Sequence, residues 1–78
     1  MNVDRLVVMA NDIGHYFAAE QDHVAAVAAV AAHLQRFWDP RMRRQIVAHV
    51  AAGGDGLSEL ALAAVRSLPP SSQPEAAR

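Results

Sequence analysis

Three absences restrict what this chain can do: it has no cysteine, no lysine and no long apolar run. Without cysteine there can be no disulfide, no thiolate metal site and no cysteine nucleophile. All seven basic residues are arginine, which excludes a lysine-based mechanism and favours bidentate contacts with carboxylate or phosphate. The longest uncharged run, residues 24–35, is far shorter than the roughly 20 residues that cross a bilayer. Because no secretory signal is evident either, we expect a cytoplasmic protein with no membrane contact.

The length and charge of the chain also set limits. With 78 residues, it makes one small domain, for which a stability of about 3–5 kcal/mol is expected. Its net charge of -1 argues against nucleic acid or a membrane surface as the partner.

Apolar residues recur at the helical period and no alternating strand pattern is present, so the predicted fold class is all-α. We expect a small compact bundle of three to four short helices, at residues 3–18, 23–38, 40–52 and 59–68. Together they would form one helical domain at residues 1–68. The segment PPSSQPEAAR, residues 69–78, has nothing to bury and is predicted to be a disordered tail.

Each predicted helix has one apolar face that we expect to point inward. Gly14 lies within the first of these faces, where its missing side chain would let another helix approach closely. The reverse side of the second helix consists of alanines, which indicates either a well-formed exposed helix or a surface for a partner's helix. The inward residues are Val3, Leu6, Val7, Ala10, Ile13, Gly14 and Phe17; then Val24, Val27, Val30 and Leu34; then Met42, Ile46, Val47 and Val50; and finally Leu60, Ala61, Ala64, Val65 and Leu68. Phe37 and Trp38 continue the bulky face of the second helix.

The segment that joins the second and third predicted helices is Phe37-Trp38-Asp39-Pro40-Arg41-Met42-Arg43-Arg44. A proline disfavours the α conformation at the residue before it, so the second helix should end here. Asp39 is a good N-cap, and proline suits the first position of a helix. Arg41 and Arg44 are predicted to point away from the core. Arg43 lies within the apolar stripe, where its stem rests on the core rim or its head pairs with an acid.

This segment resembles part of the small delta subunit of NAD-dependent, molybdenum-containing formate dehydrogenases. The string at residues 4–17 looks like the family's N-terminal helix, and the string at residues 51–57 looks like its third connection. The resemblance covers roughly residues 2–68.

What the resemblance implies is a non-catalytic accessory subunit of a cytoplasmic enzyme that oxidises formate to carbon dioxide and reduces NAD⁺. The large alpha subunit of such an enzyme carries bis-molybdopterin guanine dinucleotide and iron–sulfur clusters, and the beta and gamma subunits carry FMN and further clusters. The delta subunit is expected to bind the alpha subunit, and through it the others. It would support cofactor maturation or complex stability without a redox centre of its own.

No catalytic, cofactor or metal site is predicted within this chain. The four histidines, His15, His23, His33 and His49, fall on different predicted segments without the spacing of a metal site. Carboxylates are scattered singly, so no acid–base pair is indicated.

The predicted partner-binding residues are Phe37, Trp38, Arg41, Arg43 and Arg44, because large aromatics and arginine are enriched among interface hot spots. The rival interpretation makes both aromatics core residues. Two other functions stay open at this stage. One is a free-standing homodimeric helical regulator, with the alanine side as its self-contact. The other is a small DNA-binding module that uses the arginines.

Overall fold

Four helices make up the computed structural model, which describes residues 2–69. They are α1 (Val3–Phe17), α2 (His23–Phe37), α3 (Pro40–Ala51) and α4 (Glu59–Arg66). No strand occurs among these residues, so the all-α prediction is confirmed. Each helix begins where the sequence predicts and ends one or two residues earlier. The predicted tail, beyond Pro69, lies outside the described residues, and the division at residue 68 stays a prediction.

A side-chain oxygen caps the N-terminus of every helix. The first N–H groups of a helix have no partner within it, so each cap satisfies a donor that would otherwise need water. Because capping is a local interaction, the chain itself decides where each helix begins. The caps and the N–H groups that donate to them are Asn2 with Asp4 (2.7 Å), Asp22 with Val24 (3.0 Å), Asp39 with Met42 (2.9 Å) and Ser58 with Ala61 (3.2 Å).

The core lies where α1 and α4 meet the other helices. Each of these two packs against the remaining three, whereas α2 and α3, although consecutive, touch each other little. The relative position of α2 and α3 is therefore set mainly by their shared packing against α1 and α4. The largest fully buried side chains are Leu6, Val30, Leu34, Ile46 and Val65.

The buried face of α2 differs from the predicted one. Val24 is 75% exposed, so its predicted place on the inward face is wrong. Phe37 is 68% exposed, which contradicts the rival interpretation that made it a core residue. Val24 lies only about 20° round the helix from the buried Ala31, but it stands in the first turn of α2, before the first buried residue, Ala26. Phe37 lies on the same side as Val30, but it is the last helical residue. The buried face is instead made of Ala26, Val30, Ala31 and Leu34.

Gly14 packs against the N-terminal end of α4, as the sequence predicts, but not more closely than an alanine would allow. A methyl group added at Gly14 would lie 3.7 Å from Ser58 Oγ and 3.8 Å from the nitrogen of Ala61. These are ordinary van der Waals distances, so the contact does not require glycine.

The α3–α4 connection is tied to both of its neighbouring helices. The N–H of Gly54 donates to the carbonyl of His49 at 2.9 Å, which satisfies the C-terminal end of α3 where two glycines follow the helix. From α1, the Asn11 amide donates to the carbonyl of Gly56 and accepts from the N–H of Ser58, both at 2.9 Å. These two bonds hold α4 beside α1. No helix among the described residues has both the length and the apolar character that a bilayer span requires.

Candidate partner-binding surface

The α2–α3 corner forms as its sequence predicts. After Phe37 the backbone leaves the helix, because Trp38 adopts an extended conformation (φ -89°, ψ 139°). Its N–H still donates to the carbonyl of Leu34 at 3.0 Å. Asp39 then caps α3, and Pro40 takes the first helical position. The corner is therefore a sharp turn that contains no glycine.

The two adjacent aromatic side chains at the corner differ in burial. Trp38 is 5% exposed and belongs to the core, as the rival interpretation expects for it. Phe37 projects into solvent, where a partner can reach its ring. Neither the docking hypothesis nor its rival therefore applies to both residues. Of the two, only Phe37 offers its side chain to a partner while the domain stays folded.

The Arg43 guanidinium contacts the C-terminal end of α2. Nη1 donates to the carbonyl oxygen of Gln35 at 3.3 Å and also to that of Trp38. The last carbonyls of a helix have no partner within it, and a cation is favoured there by the helix dipole. Arg43 thus fastens the first turn of α3 to the last turn of α2. Its predicted contact with a partner stays a prediction.

The other arginines of the corner are exposed. They are Arg36 in the last turn of α2 and Arg41 and Arg44 in the first turns of α3. Among residues 2–69, no carboxylate forms an ion pair with any of the three. The one acid within the corner, Asp39, is engaged as the cap of α3. We call Arg36, Arg41, Arg43 and Arg44 the arginine corner; it is strongly basic in a chain whose net charge is -1.

Four rings from α1 and α2 touch in sequence and lead to this corner. The ring centroids of Tyr16 and Phe17 are 5.0 Å apart, those of Phe17 and His33 are 6.3 Å apart, and those of His33 and Phe37 are 4.6 Å apart. At the far end, the guanidinium carbon of Arg36 lies 6.0 Å from the centroid of Phe37, within the range of a cation–π contact. We call Tyr16, Phe17, His33 and Phe37 the ring row.

Sequence reasoning missed the ring row because its members come from two helices. Tyr16 and Phe17 close α1, whereas His33 and Phe37 lie near the end of α2. The four-residue spacing of His33 and Phe37 does place both on one face of a helix. Their contact with α1 depends on how the helices pack.

No metal centre is assembled in the part of the chain that the structure describes. No three histidine, aspartate or glutamate side chains lie close enough together to hold a metal. Of the histidines, His49 forms a hydrogen bond of 2.7 Å between Nε2 and the carbonyl of Asp55. An open depression of about 230 Å³ has His15 as its one titratable residue, so it contains no acid–base pair; it is lined by Gly14, His15, Ala18, Ser58 and Leu60.

These features define a small all-helical domain whose distinctive surface is aromatic and basic, which is typical of a domain that contacts other proteins. Comparison with family models identifies it further. The chain matches the FdsD model, described as the NADH-dependent formate dehydrogenase delta subunit, over residues 5–65, and it belongs to this family. The match runs from the first turn of α1 to the last turn of α4.

The family resemblance seen in the sequence is thereby confirmed, and the chain is an accessory subunit that assembles with other subunits of a formate dehydrogenase. Comparison with curated proteins and with solved structures found no match to this chain.

Proposed function

We propose that this chain is a non-catalytic subunit that binds the large, molybdenum-containing alpha subunit of a cytoplasmic NAD-dependent formate dehydrogenase. Through the alpha subunit it is linked to the beta and gamma subunits. Its role is to support maturation of the molybdenum cofactor or to keep the assembled complex together. The observation that carries this proposal is the family match across all four helices.

The redox groups expected in the complex belong to its other subunits. We expect bis-molybdopterin guanine dinucleotide, iron–sulfur clusters, FMN and NAD to function there. Iron–sulfur clusters are held by cysteine thiolates, and this chain has no cysteine. Its donor set therefore does not fit a cluster. On this account the chain contributes surface rather than electron transfer.

The α2–α3 corner is the part of the surface that we assign to the partner. Phe37, Arg41 and Arg44 are exposed and would contact the alpha subunit directly. Trp38 is buried, and Arg43 is bonded to the end of α2, so these two would hold the corner in shape. A rigid corner lowers the conformational entropy that binding costs, because its geometry is set before the partner arrives.

Expression of the alpha, beta and gamma subunits with and without this chain tests the function. With a tag on the alpha subunit, we expect the chain to co-purify. Without the chain, we expect less molybdenum per alpha subunit or loss of the beta and gamma subunits. Equal molybdenum content, subunit composition and formate-dependent NAD⁺ reduction in both preparations would contradict the proposal.

A second experiment distinguishes a role in cofactor maturation from a role in complex stability. The purified chain is added to complex that was produced without it. If the chain restores assembly and activity with no change in molybdenum content, its role is to hold the complex together. If only co-expression raises the molybdenum content, its role precedes cofactor insertion.

A further inference from the structure

We propose that the ring row and the arginine corner form one elongated docking surface for an apolar segment of the alpha subunit, and that the carboxylates of this segment lie at the Phe37 end. The inference rests on the proposed function and adds to it the chemistry and direction of the partner segment. The surface extends well beyond the corner, because it includes the end of α1.

The ring row is anchored in the domain at its middle and exposed at its ends. Phe17 packs against the core, and His33 is half-buried beside it. Tyr16 is 78% exposed, and Phe37 at the other end is similarly open to solvent. Every ring contacts the next. Partner side chains would therefore meet rings whose positions the core already fixes.

Charge makes the two ends of this surface different. At the Phe37 end stand Arg36, whose guanidinium lies beside the ring, and Arg41, only four residues further along the chain. At 3.8 Å per residue, the Cα atoms of Phe37 and Arg41 are at most about 15 Å apart. The basic groups are thus within reach of a partner segment that covers the ring.

The Tyr16 end has acidic neighbours instead. Asp12 is exposed and lies one helical turn before Tyr16 on α1, so the two occupy the same side of the helix. Glu20 follows shortly after α1, where its Oε2 accepts from the N–H of Asp22 at 3.2 Å. A carboxylate of the partner would be repelled at this end and attracted at the other. Electrostatic complementarity therefore orients the segment with its acids towards Phe37.

Exposed apolar side chains elsewhere on the domain are of a different kind. Val8 and Val24 are 57% and 75% exposed, and neither belongs to the ring row. Single apolar residues at a surface are normal and indicate no contact. These two valines are matched controls for the ring row.

The first test measures binding of the full chain to purified alpha subunit. Tyr16→Ala and Phe37→Ala are each expected to weaken binding about 30-fold, which corresponds to about 2 kcal/mol and is typical of hot-spot aromatics. Val8→Ala and Val24→Ala are expected to change it by no more than about twofold. Circular dichroism checks that all four variants keep their helices. Equal affinities for the ring and valine variants would overturn the inference.

The second test addresses charge. Arg36→Glu is compared with Arg66→Glu, because both arginines are exposed and stand in the last turn of a helix, so the effect on the helix dipole is matched. We expect at least tenfold weaker binding for Arg36→Glu, with a smaller dependence on salt, and little change for Arg66→Glu. An equal loss for both would refute an acidic partner segment.

The third test determines the direction. A photo-crosslinking amino acid is placed at position 37 or at position 16, and the captured peptide of the alpha subunit is identified. Position 37 is expected to capture a stretch rich in aspartate or glutamate, and position 16 an apolar one. The reverse pattern would overturn the proposed direction.

The outcomes separate this inference from the function on which it rests. If the unchanged chain does not bind the alpha subunit, the proposed function fails. If it binds and the ring variants bind equally well, only the docking surface is wrong. If the chain alone forms a dimer that Phe37→Ala dissociates, the ring row serves self-association and the inference is again wrong.

Discussion

Trp38→Ala and Phe37→Ala should differ greatly in how much they destabilise the folded domain. Trp38 is almost completely buried, and removing a large aromatic from a core costs about 3–5 kcal/mol. A domain of this size is expected to have about that much stability in total. Trp38→Ala should therefore be largely unfolded at 25 °C.

Phe37→Ala, in contrast, should leave the domain folded. Full burial of a phenylalanine side chain contributes about 1.5–3 kcal/mol, and about a third of this side chain is removed from water in the folded domain. The expected loss is therefore below about 1 kcal/mol. For a domain of this length, 1 kcal/mol corresponds to a shift in Tm of about 4–8 °C.

Thermal and urea unfolding followed by far-UV circular dichroism measures both variants. We expect a cooperative transition for Phe37→Ala, lowered by no more than about 8 °C, and none for Trp38→Ala. If Phe37→Ala also lost its transition, Phe37 would be a core residue. If Trp38→Ala melted like the unchanged chain, the assignment of Trp38 to the core would be refuted.

Four further predictions concern the contacts between the helices and their connections. Gly14→Ala should raise the free energy of unfolding by up to about 1 kcal/mol, because the methyl group fits and alanine favours a helix. Gly54→Ala should lower the free energy of unfolding by about 1–3 kcal/mol, because φ is +69° and the new Cβ would lie 2.6 Å from Leu62 Cδ1. Equal effects of Gly14→Ala and Gly54→Ala would contradict both explanations. Asn11→Ala removes both hydrogen bonds to the α3–α4 connection and should cost about 1–3 kcal/mol in urea unfolding, with faster hydrogen exchange in α4. Arg43→Met keeps the aliphatic stem but loses the bonds to α2, so we expect about 1–2 kcal/mol of destabilisation, with Arg44→Met as the neutral control.

The sequence predicts the helices well because their boundaries depend on neighbouring residues. Asn2, Asp39 and Ser58 are recognisable as caps from their chemistry and from the apolar pattern that follows them. The glycine stop after α3 is equally local. These signals do not depend on how the helices pack, and the structure shows each of these residues in its local role.

Packing decides what the sequence could not predict. Val24 and Phe37 fit an apolar stripe by spacing alone, but exposure also depends on whether another helix lies opposite. The adjacent aromatics at the corner differ because Trp38 is extended and turns inward. The ring row needs α1 and α2 side by side, and the guanidinium of Arg43 finds its acceptors on another helix. The aromatics and arginines of the corner could therefore be named from the sequence, but the ring row and the different positions of Phe37 and Trp38 could not.

The most direct test of the account is to measure the composition of the complex that co-purifies with this chain. The tagged chain is purified from cells that make all four subunits, and native mass spectrometry and metal analysis determine the ratio of chain to alpha subunit to molybdenum. The account predicts a fixed ratio of chain to alpha subunit, with molybdenum present, and a reduced recovery of the alpha subunit when Phe37 is replaced by alanine. Recovery of the chain alone, or with only the beta and gamma subunits, would contradict it.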